Sequence, residues 1–283
     1  MTQEALPPLR DALSQAGLSA DKRLGQHFLL DLNICRKIVR LSDLLPGETV
    51  IEIGPGPGGL TRALLEAGAR VIAVEKDRRF LSLLEALAPA SGERLRVVNA
   101  DALGIDEAAL ADGPASIVAN LPYNVGTPLL IKWLTGPFRP RSMTLMFQKE
   151  VARRIVAEPG SGDYGRLGVL TQALCETSIV MELPARAFTP PPKVDSAVAH
   201  LIPRAGRPGD ALVQALQKVT HDAFGQRRKM LRSSLRAMGG EALCLSVGID
   251  PLSRAETVPV EGFLDLAASV LKAGTGTQSR PER

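Results

Sequence analysis

Cysteine is sparse and badly placed for covalent or metal work: Cys35, Cys175 and Cys244 are odd in number, far apart and never in a C-x-x-C pair. That supports neither a disulfide framework nor a zinc site, and no metal is expected. Long hydrophobic runs are missing too. The longest, such as "VIEIG" and "GVLTQAL", fall far short of the roughly 20 residues that a membrane span needs, and the start "MTQEALPPLRD" has no apolar signal region. A cytoplasmic protein with no membrane partner is expected. There is no internal repeat. What remains is ordinary for a soluble globular chain: 283 residues, 45% hydrophobic and 23% charged, enough for one large domain and a small one. The net charge of +4 permits a nucleic-acid partner without demanding one.

Asp31 is placed to cap a helix whose apolar residues Ile34, Ile38, Leu41 and Leu45 recur at helical spacing up to Pro46 and Gly47. The period then changes. "TVIEIG" reads as a strand, "LTRALLEAG" as a helix with Gly68 at its carboxyl cap, "RVIAVEKD" as a strand, "RRFLSLLEAL" as a helix, "RLRVVNAD" and "ASIVANL" as strands and "TPLLIKWLTG" as a helix. This alternation predicts an α/β fold with a parallel sheet covered by helices on both faces. "SMTLMFQ", "TSIVMEL" and "DSAVAHLIP" add strands, the last two with the alternation of an antiparallel edge. "PRAGRPG" reads as a linker, giving a domain of residues 1–205 and a second of 206–273. The second is helical in pattern, through "ALVQALQKVTHDAF", "QRRKMLRSSLRAMG", "PLSRAETV" and "VEGFLDLAASVLKAG". Residues 274–283 have too few apolar groups to pack and read as disordered.

"EIGPGPGGLT" puts Gly54, Gly56 and Gly58 between the first strand and the first helix, where absent side chains let a turn pass close to a nucleotide. Glu75 ends the second strand, where a carboxylate can accept both ribose hydroxyls of an adenosine. Asp101, with Ala102 beside it, ends the third, within reach of an adenine amine. Nicotinamide cofactors and S-adenosylmethionine both contain adenosine, so this crevice does not choose between them.

"VANLPYNVGTP" (118–128) does choose. Methylating the N6 amine of an adenine requires acceptors for its hydrogens while the nitrogen pyramidalises toward the methyl donor. Asn120 offers an amide oxygen. Leu121 offers a carbonyl held in extended geometry by Pro122, and Tyr123 offers a face for the base. Orientation and preorganised acceptors supply the rate, with no strong base needed. Arg227, Arg228, Lys229, Arg232 and Arg236, with no acid among them, form a basic run expected on about three helical turns and facing RNA phosphates. Lys22, Arg23, Arg36, Lys37 and Arg40 would extend that surface.

"GQHFL" (25–29), "EIGPGPGGLT", "VEKD", "NLPYNVGTP", "FQKEVARRI", "YGRLGVLTQ", "FTPPPKVDSAV" and "FGQRRKMLRSSL" occur in the order seen in the dimethyladenosine transferase family of small-subunit ribosomal RNA, which the chain resembles over residues 20–270. The resemblance implies a Rossmann-like S-adenosylmethionine-dependent methyltransferase sheet with a small all-helical carboxyl-terminal domain. It also implies two methyl transfers to N6 of each of two adjacent adenosines near the 3′ end of 16S rRNA, within an immature small subunit. S-adenosyl-L-methionine would be the donor, S-adenosyl-L-homocysteine the product, and the protein a monomer. Within "GQHFL" it places His27 and Leu29 on the methionine side of the cofactor with Gln26 nearby, although many relatives have asparagine where this chain has His27. It makes Gly54 and Gly56 the methionine loop, Glu75 the ribose acceptor, Asp101 the adenine acceptor and Asn120 a residue shared by cofactor and target. Phe188 would cover the face of the flipped base opposite Tyr123. Two rival functions are methylation of large-subunit rRNA, as in erythromycin-resistance enzymes, and a non-catalytic assembly or transcription factor on the same fold. "FTPPPKVDSAV" and "FGQRRK" point away from the first, and intact Glu75, Asn120 and Tyr123 from the second.

Overall fold

The computed structural model describes residues 6–21, 25–226 and 228–276. Lys22, Arg23 and Arg227 of the expected basic surface lie outside them, as do residues 277–283 of the expected disordered tail; residues 274–276 of that tail are helical instead. The chain divides into two compact units, Met1–Ala152 with Ser178–Ile202, and Arg153–Thr177 with Pro203–Arg283.

The first unit begins with α1 (Leu9–Gln15), β1 (Phe28–Leu29) and α2 (Leu32–Arg40). Asp31 caps α2 as expected, accepting from the Asn33 and Ile34 amides. The helix stops at Arg40, because Asp43 takes a positive φ of 50°, and Leu45, expected on its apolar face, is instead 58% exposed. There follow β2 (Thr49–Ile53), α3 (Gly59–Glu66) and β3 (Arg70–Glu75). The next expected helix is broken into a 3₁₀ turn (Arg78–Phe80), α4 (Leu81–Glu85) and α5 (Ala88–Ser91), the last opened by Pro89, which cannot continue a preceding helix. Then come β4 (Leu95–Asn99), α6 (Glu107–Ala111), β5 (Ala115–Asn120), α7 (Gly126–Thr135) and β6 (Met143–Gln148).

The chain runs on through α8 (Lys149–Val156) and α9 (Arg166–Leu174) into β7 (Cys175–Leu183), β8 (Phe188–Thr189) and β9 (Ser196–Pro203). The main sheet has the order β4-β3-β2-β5-β6-β9-β7. The contiguous pairs from β4 to β6 are parallel, and β9 runs antiparallel to β6. Val50, Ile51, Ile117 and Val118 are fully buried, as strands covered on both faces must be. "DSAVAHLIP" is not an edge: β9 lies inside the sheet with its first six residues buried, and β7 is the edge. A separate two-stranded ladder pairs β1 with β8, Leu29 opposite Phe188.

In the second unit α10 (Asp210–Gly225) packs against α9 and α13 (Val260–Gly276), with Phe224 and Phe263 rings 5.4 Å apart. Between them lie α11 (Leu231–Ser234) and α12 (Gly240–Ser246). The segment 153–177 joins this unit because α9 buries Val169, Leu170 and Leu174. "QRRKMLRSSLRAMG" is not one helix. Leu231 and Arg232 donate their amides to the Ser253 and Pro251 carbonyls instead of to carbonyls one turn back, and Met230 bridges Arg254. "PLSRAETV" is likewise a turn and a short 3₁₀ segment, Ala255–Thr257. Among the described residues no helix is long and apolar enough to cross a membrane.

Candidate active site

The chain passes from β4 to β5 across β3 and β2, so the direction of winding reverses between β2 and β5 and leaves a crevice at their carboxyl ends. A cavity of about 420 Å³ opens there, in the range of small-ligand sites. Gln26, His27, Leu29, Gly54, Gly56, Glu75, Asp101, Ala102, Asn120, Leu121, Pro122 and Tyr123 all line it. Of the residues singled out from the sequence for this crevice, Gly58 and Phe188 do not line it.

The glycine turn is built to be bare. Gly56 has φ of 54°, and a Cβ there would lie 3.2 Å from the Phe28 ring. At Gly59 a Cβ would meet the Leu29 carbonyl at 2.7 Å, so α3 can start only against an unsubstituted backbone. Glu75, 6% exposed, accepts the Gly56 amide on one oxygen (3.0 Å) and the Asp77 amide on the other (2.7 Å). Each oxygen keeps a lone pair free, so the carboxylate can accept two hydroxyls as well. Burial raises its pKa, partly offset by those amides. Gln26 ties to the same corner, donating to Asp77 at 3.0 Å. Asp101 receives Lys76 Nζ on one oxygen (2.7 Å) and the Leu103 amide on the other (3.1 Å), and Lys76 holds its pKa low.

On the β5 side, Asn120 Nδ2 donates to the His27 carbonyl at 3.2 Å, which leaves Oδ1 without a partner among the described residues. The Leu121 carbonyl accepts no backbone bond among them either. Pro122 lies 3.6 Å from where a Gly54 Cβ would be, closing β2 against β5. The Tyr123 hydroxyl is 2.7 Å from Ser196 Oγ, and its ring stacks on His27 at 5.5 Å between centroids. His27 is fixed in turn through Nδ1 on the Pro190 carbonyl at 2.8 Å.

Phe188 departs from expectation. It does not line the cavity: it is 3% exposed and packs with Leu29, Cys35 and Ile38 in the core, because its strand pairs with β1. The aromatic partner of Tyr123 in this structure is His27. Arg228, Lys229, Arg232 and Arg236 are exposed and have no carboxylate within 4 Å among the described residues, but they sit on a turn and two short helical segments rather than one helix. Arg36 is paired with Glu66 at 2.7 Å, so it is not free to extend a basic surface.

Several residues at the site were not singled out from the sequence. Glu52 is 1% exposed, lines the cavity and receives Thr61 Oγ1 at 2.7 Å. The available signal was an acid inside the apolar run "TVIEIG". Ser196, fully buried behind Tyr123, lies within "FTPPPKVDSAV", but nothing in that run marks it as the partner of Tyr123. Burial pushes the Glu52 carboxyl up from 4.5 to about 8. In the ligand-free protein the folded state therefore keeps a proton that the unfolded chain has lost, and the stability this carboxyl contributes declines as pH rises from 4.5 to about 8. Glu52→Gln is expected to flatten that decline in denaturant midpoints measured from pH 5 to pH 8. A mutant profile parallel to wild type would remove Glu52 as its source.

Comparison with known proteins adds a lineage. The family described as ribosomal RNA adenine dimethylase matches residues 17–272. A ribosomal RNA small subunit methyltransferase A from Phenylobacterium zucineum is 65% identical over 94% of both chains, and one from Caulobacter vibrioides is 64% identical over 89% of this chain and 98% of its own. Among solved structures, a dimethyladenosine transferase from Plasmodium falciparum covers 88% of this chain and 98% of its own at 26% identity, with a TM-score of 0.73. A 23S rRNA methyltransferase covers 86% and 99% at 31% identity, with a TM-score of 0.66. The fold is that of the Rossmann-like methyltransferases.

Proposed function

The chain belongs to the ribosomal RNA adenine dimethylase family, and from that premise we propose that it uses S-adenosyl-L-methionine to dimethylate N6 of two adjacent adenosines near the 3′ end of 16S rRNA. It is a methyltransferase of the small ribosomal subunit. In this reading it acts in the cytoplasm, as a monomer, on an immature subunit.

The cavity suits the donor. Glu75 accepts the ribose hydroxyls, Asp101 and the Ala102 backbone meet the adenine, and the bare turn at Gly54 and Gly56 admits the methionine portion beside Gln26, His27 and Leu29. When bound, the donor supplies an electrophilic methyl group on its sulfonium. The observation that carries the reading lies on the other wall. Asn120 Oδ1 and the Leu121 carbonyl are acceptors with no protein donor among the described residues, next to the ring of Tyr123. They hold the two amine hydrogens of an adenine so that its nitrogen lone pair faces the cofactor side, and Tyr123 stacks on the base, its tilt set by Ser196 and His27. After transfer the amine is strongly acidic and loses its proton without a dedicated base. Proline after Leu121 keeps that carbonyl out of helical pairing. The 23S enzyme's likeness favours a large-subunit target, but the 65% identity to a small-subunit enzyme is much the stronger relation. Mapping dimethyladenosine in both rRNAs of a strain lacking this protein tests the choice: loss from 16S rRNA alone is expected, and loss from 23S rRNA would overturn it.

The second unit supplies the docking surface through Arg228, Lys229, Arg232 and Arg236, together with Arg227. Replacing Arg228, Lys229 and Arg232 with Glu is expected to weaken binding to immature small subunits and to flatten its log-log salt dependence by about 0.7 to 0.9 per lost phosphate contact. S-adenosylmethionine affinity should not change. An unaltered salt slope with normal particle affinity would make the run a solvated surface.

A further inference from the structure

We propose that Lys132, on α7, is a positioning residue for the adenine end of the cofactor, acting through the turn that follows β4. Its ammonium donates to the Ala102 carbonyl (2.8 Å), the Ile105 carbonyl (2.7 Å) and Glu107 Oε1 (2.8 Å). All three of its donors are thereby used. Glu107 is 2% exposed and also accepts Trp133 Nε1 at 2.7 Å, so the pair is locked from the α7 side by two successive residues.

The route to the ligand is short. A trans peptide points its carbonyl and its N–H in opposite directions. Drawing the Ala102 carbonyl onto Lys132 therefore aims the N–H of the same peptide, which belongs to Leu103, the other way. That N–H donates to Asp101 Oδ1 at 3.1 Å. One rigid plane thus connects Lys132 to the carboxylate read as the adenine acceptor. The other hold on Asp101 is Lys76, whose side chain is 71% exposed, and an exposed pair of that kind fixes geometry poorly. Lys132 is 24% exposed at its side chain and Glu107 3%, so the buried anchor and not the surface one sets where Asp101 points. The sequence hides this, because a single lysine in "LLIKWL" reads as the polar edge of an amphipathic helix.

The inference rests on the reading of Asp101 as the adenine acceptor, and the test separates the two. Calorimetry with S-adenosylhomocysteine is run on wild type, Lys132→Met, Asp101→Asn and the double mutant, with thermal melts as a check on folding. Lys132→Met is expected to weaken binding about tenfold or more, to raise KM for S-adenosylmethionine with kcat at saturation little changed, and to add almost nothing in the Asp101→Asn background. A merely structural lysine would lower the melting temperature and give the same fold-loss in both backgrounds, which overturns the inference. Affinity within twofold of wild type in folded Lys132→Met also overturns it. If Asp101→Asn alone binds normally, the reading of Asp101 fails and the inference falls with it. Should Lys132→Met not fold, Lys132→Gln, which keeps two donors, goes through the same cycle with the same two outcomes.

Discussion

Asn120→Ala is expected to slow single-turnover methyl transfer on pre-bound small subunits by about 10²–10³-fold, the loss that follows removal of one preorganised hydrogen-bonding group from a reacting centre. Particle affinity should stay within about threefold, because the acceptor matters most as the amine pyramidalises and little before that. The structure sharpens the reason. The His27 carbonyl can only accept, so it selects the amide orientation with Nδ2 toward itself and turns Oδ1 away from that carbonyl. An alanine removes both the acceptor and the strut between β5 and the "GQHFL" segment. Rapid-quench rates unchanged from wild type would defeat the role given to Asn120.

Glu75→Ala is expected to weaken S-adenosylmethionine binding by about 10²–10⁴-fold, from the loss of two hydrogen bonds to a charged group at about 1.5 to 3 kcal/mol each. The protein should also melt lower, for a reason that the sequence did not supply. Reading "VEKD" alone suggests a carboxylate that serves only the ligand, whereas its two oxygens also hold the Gly56 and Asp77 amides and so shape the glycine turn. Calorimetry and a melt on the same sample check both effects. A folded mutant binding within about twofold of wild type would remove Glu75 from the site.

Strand ends were the legible part of the sequence. β2 through β5 announce themselves by short β-branched runs, and the acid or amide at or just past the end of three of them, Glu75, Asn120 and, two residues past β4, Asp101, reaches one crevice because parallel strands present their carboxyl ends on one side. Segments whose backbone bonds to distant loops were not legible. "QRRKMLRSSLRAMG" has a helical pattern, yet its amides pair with residues 251 and 253, and nothing local encodes that. The same holds for Phe188, whose burial follows from pairing across roughly 160 residues with Leu29. Residues that act behind others, Ser196, Glu107 and Lys132, do not announce that part, even where, as for Ser196, a recognisable motif contains them, since their role is defined only by what they touch.

The methylated product tests the proposed reaction most directly. Purified protein is incubated with immature small subunits and, separately, with large subunits, using S-adenosylmethionine labelled in its methyl group, and the rRNA is digested and its nucleosides weighed by mass spectrometry. Two labelled methyl groups on N6 of adenosine from 16S rRNA, two such nucleosides per rRNA and strongly diminished at early times with Asn120→Ala, is the predicted result. Label in 23S rRNA, on another atom of the base, or undiminished in Asn120→Ala would contradict it.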